Sequence, residues 1–166
     1  RWAGEQAFYD FIAGQELVFV TPLVRDVEKQ HRSGNSFRLF KDLQIQPYGL
    51  RCLEAPMSVY PNRPARGFED SLASCLDQID RLYRQKPFAV FTAAAGAYGL
   101  PLCEAVHQRY GVSCIYIGNQ MHGLLGVLQN TSVSWRQDQR IEEHWLISDS
   151  LNGIAGVDRI EDGRYL

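Results

Sequence analysis

A turn rich in small residues is the segment of this chain best suited to hold a ligand. In Ala94-Ala-Gly-Ala-Tyr-Gly99, small residues separate an apolar run from a segment that begins with Pro101. Proline in the first turn of a helix costs no hydrogen bond, so the pattern predicts a strand, a tight turn and a helix start. The unpaired N–H groups and the dipole at a helix start favour an anion. We therefore expect a ligand at Gly96 and Gly99.

The same turn is an incomplete dinucleotide-binding fingerprint. In Ala94-x-Gly96-x-x-Gly99 an alanine replaces the first glycine, and the next apolar run ends in Gly118-Asn-Gln120 without the carboxylate that would bind a ribose. This argues against an enzyme that uses NAD. Two interpretations stay open. The glycines allow close packing of a strand on a helix, or they allow the backbone to contact a phosphate or diphosphate in another nucleotide-binding family.

A second loop carries two neighbouring amides, Asn119 and Gln120, directly after an apolar run. Each amide offers donors and an acceptor, which suits the hydroxyls of a sugar or the edge of a base. Asparagine is also favoured at helix starts, because its side chain caps free N–H groups. The sequence leaves both roles open for Asn119.

Acidic, imidazole and indole side chains come together in Glu142-Glu-His-Trp145. A histidine beside a glutamate can transfer protons or bind a metal, so Glu143 and His144 are the predicted catalytic residues. Trp145 can stack on a sugar ring and is a predicted substrate contact. The alternative is a solvated acidic turn in which Trp145 fills the core. We expect solvent exposure for the histidines that stand alone in the sequence, which are His31, His107 and His122.

Strands and helices alternate along the chain, which predicts an α/β fold with a mainly parallel sheet of about four or five strands. Short apolar runs predict the strands, at residues 17–20, 49–54, 88–93 and 112–117. The clearest amphipathic helix begins at Phe68, and residues 121–128 are also expected to be helical. We expect a three-layer, Rossmann-like sandwich that forms a single domain over residues 1–166.

Parallel sheets of this kind bind ligands beyond the carboxyl ends of their strands, where the strand order reverses. Those ends are predicted at Thr21-Pro22, Glu54-Ala-Pro56, residues 94–99 and Gly118-Asn-Gln120. Thr21 joins the predicted substrate-binding residues for this reason. The loop at residues 56–67 is long, and long loops are often functional.

Charge and composition exclude several classes of partner. With 17 Lys and Arg against 19 Asp and Glu, the net charge of −2 gives no electrostatic attraction to nucleic acid. No apolar run approaches the roughly 20 residues that a membrane helix needs. The four cysteines form no C-x-x-C pair, which is typical of free thiols in a reducing cytosol, so we expect a cytoplasmic protein. The sequence begins with Arg1, and we expect it to be part of a longer chain. The oligomeric state stays open.

Several motifs together resemble a bacterial family of glycosyltransferase-like proteins. They are Gly96-Ala-Tyr-Gly-Leu-Pro-Leu102, Ile115-Tyr-Ile-Gly-Asn119, Gly123-Leu-Leu-Gly126 and Glu142-Glu-His-Trp145. The first is the most specific. At the second and fourth the family has Ile-x-x-Gly-Gly and Asn-Glu-His-Trp. With the early Phe19-Val-Thr-Pro-Leu23, the resemblance extends over nearly the whole chain. The layout is also similar to that of glycosyltransferases with the GT-D fold, a comparison at the level of the fold alone.

The resemblance implies an enzyme that uses a nucleotide-activated sugar to build a polysaccharide or a related glycan. It places Gly96, Tyr98 and Gly99 at the nucleotide-sugar site, with Asn119 and Gln120 opposite. The implied partners are the nucleotide sugar and a glycan acceptor. Mn²⁺ or Mg²⁺ bound with the diphosphate is the implied cofactor.

One departure from the GT-D pattern keeps a second hypothesis open. That group carries an Asp-x-Glu metal motif in a glycine-containing turn, whereas the matching letters here, Asp26-x-Glu28, fall inside a predicted polar helix without the glycine. Either the motif lies upstream of this sequence, or the chain does not transfer sugars in the same way. The alternative function is a non-catalytic module on the same fold that binds a nucleotide, a sugar or a protein.

Overall fold

In the computed structural model, which describes residues 4–129 and 144–159, strands and helices alternate along the chain. The strands are β1 (Glu16–Thr21), β2 (Gly49–Glu54), β3 (Val90–Ala93), β4 (Ser113–Ile115), β5 (Val127–Gln129) and β6 (Leu146–Ser148). The helices are α1 (Glu5–Ile12), α2 (Val24–Arg32), α3 (Phe68–Gln85), α4 (Gly99–Tyr110) and α5 (Gln120–Leu124). Short 3-10 turns lie at Asn35–Phe37 and Gly96–Tyr98.

Four parallel strands form the main sheet, in the order β2-β1-β3-β4. Phe19 of β1 lies opposite Cys52 of β2 on one side and Thr92 of β3 on the other. The chain passes from β1 to β2 and then returns across β1 to reach β3. The strand order therefore reverses between β1 and β3, and the predicted α/β fold with a parallel sheet is confirmed.

Alternate side chains of β1 face opposite layers of the molecule. Leu17 and Phe19 are buried with side chains of α1, α2 and α5, whereas Val18 and Val20 are buried against α3 and α4. Burial on both faces explains why β1 is a continuous apolar run rather than an alternating one. Each fully buried side chain of this size stabilises the fold by about 1.5–3 kcal/mol. The result is the expected sandwich of three layers.

Helix α3 has the amphipathic pattern that the sequence predicts. Cys75, Leu76 and Ile79 are buried along one face, and Glu69 and Asp70 lie in the first turn, where the helix dipole favours negative charge. Its 18 residues make it the longest helix described. Among residues 4–129 and 144–159, no helix is long and apolar enough to cross a membrane.

The prediction of one helix over residues 121–128 is wrong. Helix α5 ends at Leu124, and Val127–Gln129 forms β5, which pairs in parallel with β6 in a separate two-stranded sheet. The change of direction occurs at Gly126, whose φ of +80° is a backbone conformation that glycine adopts without strain. A side chain at Gly126 would also overlap Leu39 and Gln30. The partner strand β6 begins 17 residues after β5 ends, so no local pattern indicates the pairing.

Candidate functional site

A cavity of about 300 Å³ lies where the strand order reverses. Its walls come from the carboxyl ends of all four strands of the main sheet: Pro22 after β1, residues 55–59 after β2, residues 94–98 after β3 and Asn119 after β4. This is the edge at which open α/β sheets bind ligands. Its volume falls at the lower end of the range for small-molecule pockets, about 300–1,000 Å³.

The remaining wall comes from parts of the chain that are distant in sequence. Gln129 at the end of β5 lines the cavity, together with Leu151 and Val157. A hydrogen bond from the Asn62 amide to the carbonyl of Ala155 (2.7 Å) ties this last segment to the loop after β2. The cavity is therefore enclosed by elements that only the folded chain brings together.

Hydroxyl and amide groups are the polar side chains of the cavity. Tyr98 and Ser58 share a hydrogen bond through their hydroxyls, and Phe68 stacks on the Tyr98 ring with 4.5 Å between ring centroids and 10° between planes. The amides of Asn119 and Gln129 are the other polar groups. None of the described residues that line the cavity is charged. The lining therefore suits a neutral group better than a phosphate.

The two glycines of the predicted phosphate turn have different roles. Gly96 has a φ of +53°, is exposed and lines the cavity. Gly99 is buried in the first turn of α4, where the ring of Tyr116 lies so close that a side chain would overlap it. The Tyr116 hydroxyl also donates to the carbonyl of Gly96 (3.3 Å). Of the two interpretations of the turn, close packing describes Gly99, and ligand contact stays open for Gly96.

Thr21 is wholly buried behind the cavity rather than on its surface. Its hydroxyl accepts a hydrogen bond from the N–H of Leu23 (3.0 Å) and shares another with Nε2 of His122 (2.7 Å). The prediction that His122 faces solvent is wrong, since 2% of the residue is exposed. The imidazole ring packs against Phe19 in the core below α5. Thr21 thus positions an internal histidine.

Burial changes the protonation of His122. Loss of hydration disfavours the charged imidazolium and lowers the pKa of His122 to about 4. The ring is therefore neutral near pH 7. Its Nδ1 atom is buried without a hydrogen-bond partner among the described residues. The fold therefore loses stability as the pH falls through 6.5, because the unfolded chain takes up a proton there and the folded protein does not.

The neighbouring amides Asn119 and Gln120 do not act together in this cavity. Asn119 lines it, and Gln120 does not. Asn119 occupies the position before α5, but its side chain makes no capping hydrogen bond, so the capping interpretation is wrong. The Asn119 amide is consequently available to a ligand.

The described residues of the predicted catalytic segment, His144 and Trp145, are not among those that line the cavity. Glu143 falls outside the described residues, and its role stays a prediction. The carbonyl of His144 accepts a hydrogen bond from Gln30, and the Trp145 indole donates to the carbonyl of Leu39 (3.1 Å). Trp145 also packs edge-on against Phe40, with 5.4 Å between ring centroids. Neither His144 nor Trp145 lines the cavity, and the alternative role of Trp145 as a core residue describes its contacts.

Asp26 and Glu28, the acidic pair with the spacing of the metal motif, form hydrogen bonds and ion pairs within the protein. Asp26 accepts hydrogen bonds from the hydroxyls of Ser148 and Ser150, which attaches the segment after β6 to α2. Glu28 forms an ion pair with Arg32 one helical turn later (3.0 Å). Across the described ranges no three His, Cys, Asp or Glu residues are grouped so that they could hold a metal. These residues by themselves do not fit a resident Mn²⁺ or Mg²⁺.

A neighbouring cavity of about 340 Å³ has a carboxylate in its lining. It shares Ala55, Pro56 and Met57 with the first cavity, and Glu54 lines it together with Ser74 and other residues of α3. Loss of hydration raises the pKa of Glu54. Sequence analysis singles out this strand end but not the carboxylate, because a lone glutamate after a strand carries no pattern.

Gln129 is the lining residue that sequence analysis missed most completely. The error has a clear source, since the pattern predicts one helix over residues 121–128, whereas Val127–Gln129 forms β5.

A search with protein-family models found no match to the chain, and searches of curated proteins and of solved structures found none either. The cavity is therefore the feature of the molecule from which a function is inferred.

Proposed function

We propose that this chain is a glycosyltransferase-like protein that binds a nucleotide-activated sugar in the cavity between β1 and β3. The observation that carries the proposal is the position of the cavity. It lies where the strand order reverses, and Gly96, Tyr98 and Asn119, three of the predicted substrate-binding residues, line it. The resemblance of the motifs around residues 96–102 and 115–119 to glycosyltransferase-like proteins supports the choice of ligand.

The size and the polarity of the cavity limit which part of the ligand enters it. A cavity of about 300 Å³ has room for a nucleoside or a sugar ring rather than for an entire nucleotide sugar. The neutral hydroxyls and amides suit such a moiety, because they can both donate and accept hydrogen bonds. We place the diphosphate at the mouth of the cavity, beside the exposed backbone of Gly96 and Ala97.

Sugar transfer also needs a group that accepts a proton. In the proposed step, the acceptor hydroxyl oxygen bonds to the anomeric carbon, the bond to the nucleoside diphosphate breaks, and the hydroxyl proton passes to a base. Glu54 is our candidate base, because its cavity adjoins the ligand cavity and the raised pKa of its carboxyl favours proton uptake. Glu143 and His144 stay alternative candidates from the sequence.

A second candidate function is a binding module without catalysis. Two observations favour it: none of the described lining residues is charged, and Asp26 is engaged by two serine hydroxyls rather than facing the cavity. Such a module would hold the nucleotide sugar, or a part of it, without transferring the sugar.

The binding proposal is tested with a thermal-shift panel of nucleoside diphosphates and nucleotide sugars, with and without Mn²⁺ or Mg²⁺. A ligand at about 100 times its dissociation constant stabilises a fold by roughly 2.7 kcal/mol, which is readily detected. Asn119→Ala should weaken binding by about 3- to 10-fold, the value of one neutral hydrogen bond, without changing the melting temperature of the free protein. Asn152→Ala is the matched control, because Asn152 is exposed and does not line the cavity. Equal losses in the two variants, or no shift with any compound, would contradict the proposal.

A measurement of turnover distinguishes the glycosyltransferase-like enzyme from the binding module. An enzyme hydrolyses or transfers the sugar of the ligand that the panel identifies, and Glu54→Gln should lower that rate while leaving binding of the nucleotide sugar intact. Glu69→Gln, a carboxylate in the first turn of α3 that lines neither cavity, is the control. Tight binding with no turnover would favour the binding module.

A further inference from the structure

Two glutamines in the described part of the chain are deeply buried, and they differ in one respect. Gln30 is 3% exposed and Gln129 is 7% exposed. The amide of Gln30 donates to the carbonyl of His144, so its burial is compensated. Gln129 lines the cavity between β1 and β3, no side-chain hydrogen bond joins its amide to residues 4–129 or 144–159, and its amide atoms are not among the fully enclosed unpaired atoms there, which belong to Tyr48, Arg51 and His122.

Because the amide atoms are not sealed from the cavity, water can hydrate them there, and a ligand that displaces this water must replace its hydrogen bonds. Ala94, Leu151 and Val157, which line the same cavity, are apolar and offer no side-chain hydrogen bond to the amide. The backbone of Gln129 is fixed by the parallel pairing of β5 with β6, opposite Ser148. The amide is thus held in place by elements that do not satisfy it, an arrangement typical of ligand-binding groups.

We propose that Gln129 is a specificity-determining residue that recognises an amide edge of the ligand, with a donor and an acceptor side by side. This inference rests on the proposed function, in that the ligand occupies the same cavity. A primary amide presents an N–H donor next to a carbonyl acceptor and pairs with a group that offers the complementary pair. A nucleobase offers such an edge, whereas the acetamido group of an N-acetylated sugar does not, because its trans amide directs the N–H and the carbonyl to opposite sides.

The chemistry of the wall excludes charged alternatives. A neutral amide in apolar surroundings stabilises a phosphate or an ammonium group poorly, because burial of a charge needs a compensating charge. A simple hydroxyl would use only one of the two functions of the amide. A complementary amide edge pairs with both the donor and the acceptor of the Gln129 amide. An analogue that lacks one of the two groups leaves part of the amide unpaired and therefore binds more weakly.

The first measurement compares the melting temperatures of two matched variants, each without a ligand. Gln129→Met retains the length of the side chain and removes the amide, and the melting temperature should stay the same or rise. Gln30→Met removes an amide that satisfies the carbonyl of His144, and the melting temperature should fall. A fall for Gln129→Met as large as that for Gln30→Met would show that the Gln129 amide serves the fold, and would overturn the inference.

The second measurement is binding by titration calorimetry, with probes that test the amide edge. Four nucleosides test the nucleobase, and 3-methyluridine is the analogue of uridine in which the N–H of the edge is blocked. N-acetylglucosamine is the control for an amide whose donor and acceptor do not lie side by side, and its affinity should not depend on Gln129. The nucleoside that binds should lose about tenfold or more in affinity in Gln129→Met, and if that nucleoside is uridine, 3-methyluridine should bind wild type with a similar loss. A nucleoside that binds wild type and Gln129→Met equally overturns the inference and leaves the proposed function standing. If no nucleoside, sugar or nucleotide sugar binds wild type, the proposed function fails, and the ligand class inferred here fails with it.

Discussion

We predict that mild acid destabilises this protein through the protonation of His122. The imidazole is buried between Thr21 and Phe19, and loss of hydration lowers its pKa from an ordinary 6.5 to about 4. The unfolded chain therefore takes up a proton as the pH falls through 6.5, whereas the folded protein resists protonation until about pH 4. The stability of the fold must decrease over this interval.

The size of the loss follows from the two pKa values. With an unfolded pKa of 6.5 and a folded pKa of about 4, the free energy of unfolding falls by about 2 kcal/mol between pH 8 and pH 5, and by about 3 kcal/mol in total well below pH 4. For a chain of this length, a loss of about 2 kcal/mol lowers the melting temperature by roughly 4–8 °C.

The assay is urea unfolding of wild type and His122→Gln at pH 8, 6.5 and 5. Glutamine does not titrate, and its amide can still donate to the hydroxyl of Thr21. The difference in unfolding free energy between the two proteins should therefore change by about 2 kcal/mol from pH 8 to pH 5, in favour of the variant at low pH. The comparison isolates His122 from His31, whose pKa is also lowered by burial. Parallel pH profiles for the two proteins would refute the reasoning.

Two further predictions concern Asp26 and the cysteines. Asp26→Ala removes the acceptor of the Ser148 and Ser150 hydroxyls and should cost about 1–3 kcal/mol in urea unfolding, without affecting any Mn²⁺-dependent binding. Unchanged stability with loss of Mn²⁺-dependent binding would instead identify Asp26 as a metal ligand. Iodoacetamide at pH 8 should modify Cys114 more than about tenfold faster than Cys52, as followed by mass spectrometry. Cys114 and Cys52 are both half-buried. A hydrogen bond from the thiol of Cys103 in α4 lowers the pKa of Cys114, whereas loss of hydration raises the pKa of Cys52 to about 12. Equal rates would show that access rather than pKa controls the reaction.

The local sequence was sufficient to predict the elements of the main sheet. The apolar run that became β1 lies between two layers of helices, and a strand buried on both faces must be apolar throughout. The turn at residues 94–99 was predictable for a similar reason, since small residues followed by proline suit the junction of a strand with a helix. Parallel strands place their carboxyl ends at one edge, and this rule predicts the edge at which the cavity lies.

The composition of that cavity was decided by tertiary structure. Gln129 lines the cavity and His122 lies in the interior behind it, and both are buried although their residue types usually face solvent. Trp145 has the residue type of a sugar contact, but the carbonyl of Leu39 and the ring of Phe40 fix it in the core.

Sequence by itself determined the succession of strands and helices along the chain as far as β4, since this succession depends on periodicity and turn residues within a few positions of each other. Which side chains face the cavity depends on contacts between residues more than a hundred positions apart, such as Thr21 with His122. Those contacts follow from the packing of whole elements, which no local window of sequence contains.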